Sequence, residues 1–135
     1  MRIVAAWPLA AVTALAWIGA AVAGDIKDEV KVQIQSAEMH SGMAPGTYVC
    51  AAGHFHVKGT VQNLAAVPVG QVKVEGKALD ADGKVLGTAS ASTKQAVLNP
   101  NDKATVDLEF LTVTGALLDK VKSQEVAVVA VAPKP

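Results

Sequence analysis

The stretch that decides the fold is residues 72–92, which read VKVEGKALDADGKVLGTASAS. In the first half, Val72 and Val74 alternate with charged residues, as in a β-strand that has one face on a hydrophobic core. The next residues, DADG at 80–83, end in a glycine that can adopt the positive φ of a tight turn. A second extended run begins at Val85. The stretch therefore predicts a β-hairpin.

The same alternation recurs on both sides of this hairpin. Four further runs each predict a strand: residues 30–35, 54–62, 106–111 and 126–131. Gly59 lies inside the second run, where we expect a β-bulge. Residues 36–50 fit no strand, and residues 115–122 have the apolar spacing of one short helical turn. Short strands separated by turn residues predict an all-β fold, an immunoglobulin-like β-sandwich of about seven strands.

The first 23 residues have the layout of a secretory signal peptide. A short positive end, an uncharged run at 3–19 and the small residues Ala21-Val22-Ala23 form its three parts. The alternative is a retained membrane anchor, because residues 3–23 are uncharged and long enough to cross a bilayer. Weakly hydrophobic alanines and the cleavage site favour removal. We expect one domain at 24–135 in a periplasmic or secreted protein, with membrane contact only through an uncleaved leader.

Charge and composition argue against several classes of function. The chain has 12 Lys+Arg and 12 Asp+Glu, and its single arginine lies in the leader, which leaves eleven against twelve after cleavage. Arginine is the usual reader of phosphates, and a near-neutral surface releases few counterions, so we expect no nucleic-acid partner. No serine has a Gly-x-Ser-x-Gly context and no Gly-rich phosphate loop occurs. We therefore expect a protein that is not an enzyme.

Residues that bind metals are crowded into one short window. All three histidines, the single cysteine and two of the three methionines lie there: Met39, His40, Met43, Cys50, His54 and His56. His54 and His56 are two apart on an expected strand, so both side chains leave the face opposite Phe55 and Val57. Imidazole, thiolate and thioether ligands suit Cu(I) best and zinc next. The window predicts a metal site, with copper as the cofactor.

Other interpretations of these residues stay open. Exposed histidines on a strand are ordinary, and Cys50 can be a small buried hydrophobic residue. An exported chain with one cysteine forms no internal disulfide, so Cys50 could instead link two copies into a homodimer. Carboxylates that could orient the imidazoles are scarce nearby, Glu38 being the only close one in sequence, so a catalytic zinc site is not favoured.

Part of the chain, residues 57–131, resembles the FxLYD domain family. The resemblance rests on GTVQN at 59–63, VPV at 67–69, VKV at 72–74, LDADGKVLGT at 79–88 and LNPN at 98–101. At the motif that names the family, GKALD at 76–80 keeps only the aspartate. The resemblance implies a small immunoglobulin-like β-sandwich module of an exported protein, without a general catalytic centre. We expect a non-enzymatic binding or accessory module that contacts a partner protein through sheet edges or loops.

A second, local resemblance is to the copper loop of cupredoxins. It is carried by YVCAAGH at 48–54 and KGTV at 58–61, where a strand ends in cysteine, a histidine follows and a Gly-x-Val strand resumes. In cupredoxins this loop lies near the C terminus, whereas most of this chain follows it. The methionine expected after the histidine is also absent. The resemblance supports the alternative function, a periplasmic copper-binding protein that uses the cluster at 39–56.

Overall fold

Two antiparallel sheets make up residues 26–135, the part of the chain that the computed structural model describes. The first sheet contains β1 (Val30–Ile34), β2 (Thr47–Val49), β3 (Phe55–Asn63) and β6 (Lys103–Phe110); the second contains β4 (Val72–Leu79), β5 (Val85–Ser92) and β7 (Ser123–Val131). Two 3-10 helices lie at Ile26–Glu29 and Gly115–Lys120. The predicted all-β sandwich of about seven strands is confirmed. The predicted signal peptide at 1–23 lies outside the described residues.

Strand order determines which edges are paired. In the first sheet β3 is central, because β1 and β2 pair with its two ends on one side and β6 pairs with it on the other. The second sheet has the order β5-β4-β7. None of the helices in residues 26–135 is long and apolar enough to cross a membrane.

The core is built from the alternate residues of facing strands. Its fully buried members are mostly valine and leucine, with two phenylalanines: Val57, Val61, Val72, Val74, Leu108, Phe55 and Phe110. The Phe55 and Phe110 rings pack with centroids 5.4 Å apart. Buried Asn63 donates to the carbonyls of Val67 and Leu98 and accepts from the Ala65 amide, so its polar atoms are satisfied.

The predicted hairpin forms around Gly83, which has a φ of 80°. The Asp80 carboxylate accepts hydrogen bonds from the Asp82 and Lys84 amides and closes the turn. The bulge expected at Gly59 is wrong, since β3 keeps its register with β1 and β6 through this residue. A Cβ at Gly59 would lie 3.2 Å from Val32 Cγ2, so the glycine permits close packing instead.

One strand lies where the sequence predicts none. β2 falls inside residues 36–50 and pairs with the first residues of β3. Gly46 precedes it with a φ of 76°, and its amide and carbonyl bond to Ala37 and Lys58. Thr47 is buried, and its hydroxyl donates to the Ala44 carbonyl. This short strand lies directly beside His56 of β3.

Candidate metal site

The outer face of the first sheet carries a row of polar side chains across three strands. His56 on β3 stands opposite Tyr48 on β2 and opposite Glu109 on β6. Because side chains alternate along a strand, these residues point away from the core that receives Phe55 and Val57.

A tight turn between β2 and β3 adds a cysteine to this face. The Gly53 amide donates to the Cys50 carbonyl at 2.9 Å, and the Cys50 amide donates to the His54 carbonyl at 3.1 Å. Gly53 has a φ of 86°, which favours glycine. Cys50 lies two residues after Tyr48, so the turn brings its thiol near the His56 imidazole.

The His56 ring is held on one side by a carboxylate and a phenol. Its Nδ1 donates to Asp107 Oδ1 at 2.8 Å, and the Tyr48 hydroxyl donates to the other oxygen of the same carboxylate. The Tyr48 ring stacks on the imidazole with centroids 4.6 Å apart and planes 22° from parallel. His56 is left only 8% exposed. With the proton on Nδ1, the neutral ring presents Nε2 as a lone pair.

His56 Nε2 is buried and has no hydrogen-bond partner in the described part of the chain. Two side chains of types that bind metals lie close to this ring, because one ligand-type atom each of Cys50, His56 and Glu109 lies within 4.8 Å of the others. Ligand atoms around a tetrahedral zinc ion are about 3.5 Å apart, as its bond lengths require. A small inward movement of these three side chains would therefore enclose an ion.

Glu109 is oriented by His54, the residue just before β3. His54 Nδ1 lies 2.8 Å from Glu109 Oε2, and the same oxygen lies 3.5 Å from His56 Nε2. The Glu109 side chain is 45% exposed, so the group is open to solvent on this side.

Electrostatics at the site favour a charged cysteine. A hydrogen bond to the His54 backbone is the main cause that lowers the pKa of Cys50 to about 7, against a smaller opposing effect of burial. Burial opposes protonation of His56, but the bond to Asp107 and the neighbouring Cys50 outweigh it and raise its pKa. Burial and the bond to Asp107 raise the pKa of Tyr48, which stays a phenol.

Two of the six residues predicted as ligands, Cys50 and His56, come together with Glu109. His54 lies outside this group and contacts Glu109 instead. His40 lies beside β2, where its Nδ1 accepts a hydrogen bond from the Val49 amide at 3.3 Å. Met43 packs against the hydrophobic core, and Met39 is 39% exposed. Neither methionine belongs to the group of close ligand atoms.

Sequence reasoning found only Glu38 close to the histidines and missed the two carboxylates that contact them, Asp107 and Glu109. Asp107 and Glu109 lie more than 50 residues from the histidines that they contact. Their alternation with Val106 and Leu108 placed them on one face of a predicted strand. Only the pairing of β6 with β3 shows which residues that face adjoins.

Comparisons with known proteins found only distant similarities. No known family profile matches the chain, and no curated protein matches it in sequence. One similar solved structure is IrmA from Escherichia coli, with 11% identity, coverage of 78% of this chain and 86% of that chain, and a TM-score of 0.42. Another is a DUF1425 family member from Shewanella sp. pv-4, with 12% identity, coverage of 74% of this chain and 95% of that chain, and a TM-score of 0.40. Identities and TM-scores this low assign neither a family nor a function.

Proposed function

We propose that the protein binds a transition-metal ion, zinc before others, through Cys50 Sγ, His56 Nε2 and a Glu109 carboxylate oxygen. The observation that carries the proposal is the buried Nε2 atom, which has no hydrogen-bond partner in residues 26–135 and faces two other ligand groups. An unpaired buried polar atom costs roughly 1–3 kcal/mol. A bound metal ion would remove this cost.

The ligand set supports zinc over the copper ion that the sequence predicts. The expected copper site includes Met39 and Met43, whose soft thioethers select Cu(I), but a carboxylate stands in their place. Zinc accepts thiolate, imidazole and carboxylate ligands together. A carboxylate that receives the second ring N–H of a ligand histidine, as Asp107 does for His56, is also typical of zinc sites.

The proposed site has three protein ligands and an exposed side at Glu109. A fourth position would be open to water or to a ligand from another molecule. This arrangement supports reversible uptake and transfer of the ion, the role expected of an exported metal-binding module. The FxLYD family, a periplasmic or secreted location and the absence of catalysis remain part of this proposal. The order of the sequence motifs supports the family, and the signal-peptide layout at 1–23 supports the location.

Metal titration of the purified, reduced protein tests the proposal. We expect one zinc ion per chain by calorimetry and, with Co(II) in its place, a thiolate-to-metal charge-transfer band. The variants Cys50→Ser, His56→Ala and Glu109→Gln should each weaken binding, whereas the matched controls His40→Ala and Met43→Leu should not. Zinc binding weaker than about micromolar, or unchanged in a double variant of Cys50 and His56, would refute the site.

Copper and the disulfide dimer are the competing outcomes. Copper(II) binds most sites of this kind more tightly than zinc, so the titration is repeated with Cu(I) and Cu(II) under anaerobic conditions. An intense visible thiolate band with copper would support the cupredoxin resemblance instead. A Cys50-linked dimer would withdraw the thiolate from the site. Non-reducing electrophoresis of metal-loaded and metal-free protein shows whether the Cys50-linked dimer forms.

A further inference from the structure

The sandwich is open along one side, where two edge strands face each other. Within residues 26–135, β6 pairs only with β3 and β5 pairs only with β4. A groove of about 650 Å³ lies between these strands. The apolar side chains of Ala91, Ala104 and Val106 line its floor. Free strand edges of this kind can pair with an added strand.

The rim of this groove is strongly basic. Lys58, Lys94 and Lys103 line it, and Asp107 is its single carboxylate. The Asp107 oxygens already accept hydrogen bonds from His56 and Tyr48. Among the described residues none of the three lysines forms a salt bridge, since every such contact involves a histidine. The groove therefore offers three cationic groups without a salt-bridge partner among residues 26–135, of which Lys58 also has its ammonium 5.8 Å from the centre of the Tyr48 ring.

The lysines are spread along the strands rather than gathered at one point. Lys58 stands opposite Asp107 in the β3-β6 register, and Lys103 lies four residues before Asp107 on β6. At about 3.3 Å per residue, the two positions are separated by roughly 13 Å along the sheet. This spacing is too long for one small anion and suits an extended chain that carries several negative charges.

We infer that the groove binds an extended acidic segment of a partner protein, which adds as a strand to the free edge of β6. One face of the added strand would direct acidic side chains toward Lys58 and Lys103 on the outer surface. The alternate side chains would then face Ala91 and Val106, so the segment should alternate acidic and apolar residues. The inference does not depend on the metal site.

A labelled hexapeptide that alternates valine and glutamate, with both ends blocked, is the probe for this groove. Its binding to the full purified chain is measured by fluorescence anisotropy. The same peptide with lysine in place of glutamate is the control. We expect the acidic peptide alone to bind, and its affinity to fall as salt is raised. Equal binding of the two peptides would overturn the inference.

Two matched triple variants locate the site. Replacing Lys58, Lys94 and Lys103 with glutamine should weaken binding about tenfold or more. The control replaces Lys27, Lys84 and Lys120, which removes the same charge outside the groove and should leave the affinity unchanged. Circular dichroism confirms that both variants are folded. Equal effects of the two variants would overturn the proposed location.

Strand addition and its alternatives give different results. A peptide methylated on alternate backbone amides should lose binding, and the bound acidic peptide should slow hydrogen exchange in β6. Unchanged binding of the methylated peptide would overturn strand addition. Complete displacement by inorganic phosphate at equal total charge would identify a small-anion site and overturn the peptide proposal. If the protein forms a dimer and the triple variant of Lys58, Lys94 and Lys103 abolishes it, a second copy of the chain occupies the groove. This result would also overturn the peptide proposal.

Discussion

Replacing Asp107 with asparagine tests how His56 is prepared for a metal ion. The carboxylate accepts one hydrogen bond from His56 Nδ1 and another from the Tyr48 hydroxyl, one on each oxygen. Asparagine has the same size but one accepting oxygen, and its amide nitrogen would face a donor. Either the imidazole or the phenol therefore loses its partner. The preference for a proton on Nδ1 is weakened, and the lone pair on Nε2 is no longer secured.

The size of the effect follows from the role of such a carboxylate. Loss of a group that orients a ligand histidine lowers metal affinity about 10–100-fold. This corresponds to about 1.4–2.7 kcal/mol of binding free energy. The metal-free protein should also lose roughly 1–2 kcal/mol of stability, because a partly buried hydrogen bond to a charged group is removed.

The assay is competition for zinc with a chromophoric chelator at neutral pH. Asp119→Asn is the control, since it removes the same charge from the second 3-10 helix, away from the site. Thermal unfolding separates weaker binding from loss of fold. If Asp107→Asn is folded and binds zinc as tightly as the unchanged protein, His56 is not a ligand through Nε2, and the reasoning from the buried nitrogen is refuted.

Three further predictions concern the same region. In metal-free protein, the rate of Cys50 alkylation by iodoacetamide should rise with a midpoint near pH 7. His56→Gln should move this midpoint only part of the way back to 9.0, because the hydrogen bond to the His54 backbone is the larger cause of the lowered pKa. Since this pKa is lowered from 9.0, its contribution to stability is complete above pH 9 and is lost as the pH falls through about 7, which urea titrations at several pH values can measure. Tyr48→Phe keeps the stacked ring but not the hydroxyl, and should reduce zinc affinity less than Asp107→Asn in the same competition assay. Gly46→Ala should lower the free energy of unfolding, measured in urea, by roughly 1–3 kcal/mol, and by more than Gly42→Ala. Both glycines have positive φ, but only a Cβ at Gly46 would clash, because it would lie 2.5 Å from the Gln35 carbonyl oxygen.

The sequence predicts most strands because their alternation is long enough to recognise. β4 and β6 each show eight residues with a regular buried and exposed pattern. β2 has three residues, which is too short for a period of two to be distinguished from a loop. Its formation depends on tertiary contacts, chiefly the bonds of Gly46 to Ala37 and Lys58.

The candidate ligand group shows where proximity in sequence misleads. Met43 lies seven residues before Cys50, yet it packs against the core while the thiol lies on the outer face. Glu109 is distant in sequence, yet the register places it beside His56. Composition of the 39–56 window therefore predicts a soft, methionine-rich site, whereas the close ligand-type atoms include a carboxylate and neither methionine.

β6 supplies the contacts of the candidate metal site that lie outside residues 39–56. Its inward residues, among them Leu108 and Phe110, complete the core. Its outward residues Asp107 and Glu109 contact His56 and His54. The other edge of β6 borders the basic groove, where Asp107 is also part of the lining. A single alternating strand thus contributes to the core, the candidate metal site and the groove. The residues of the window gain their chemical role only through this neighbour, which no local pattern in residues 39–56 identifies.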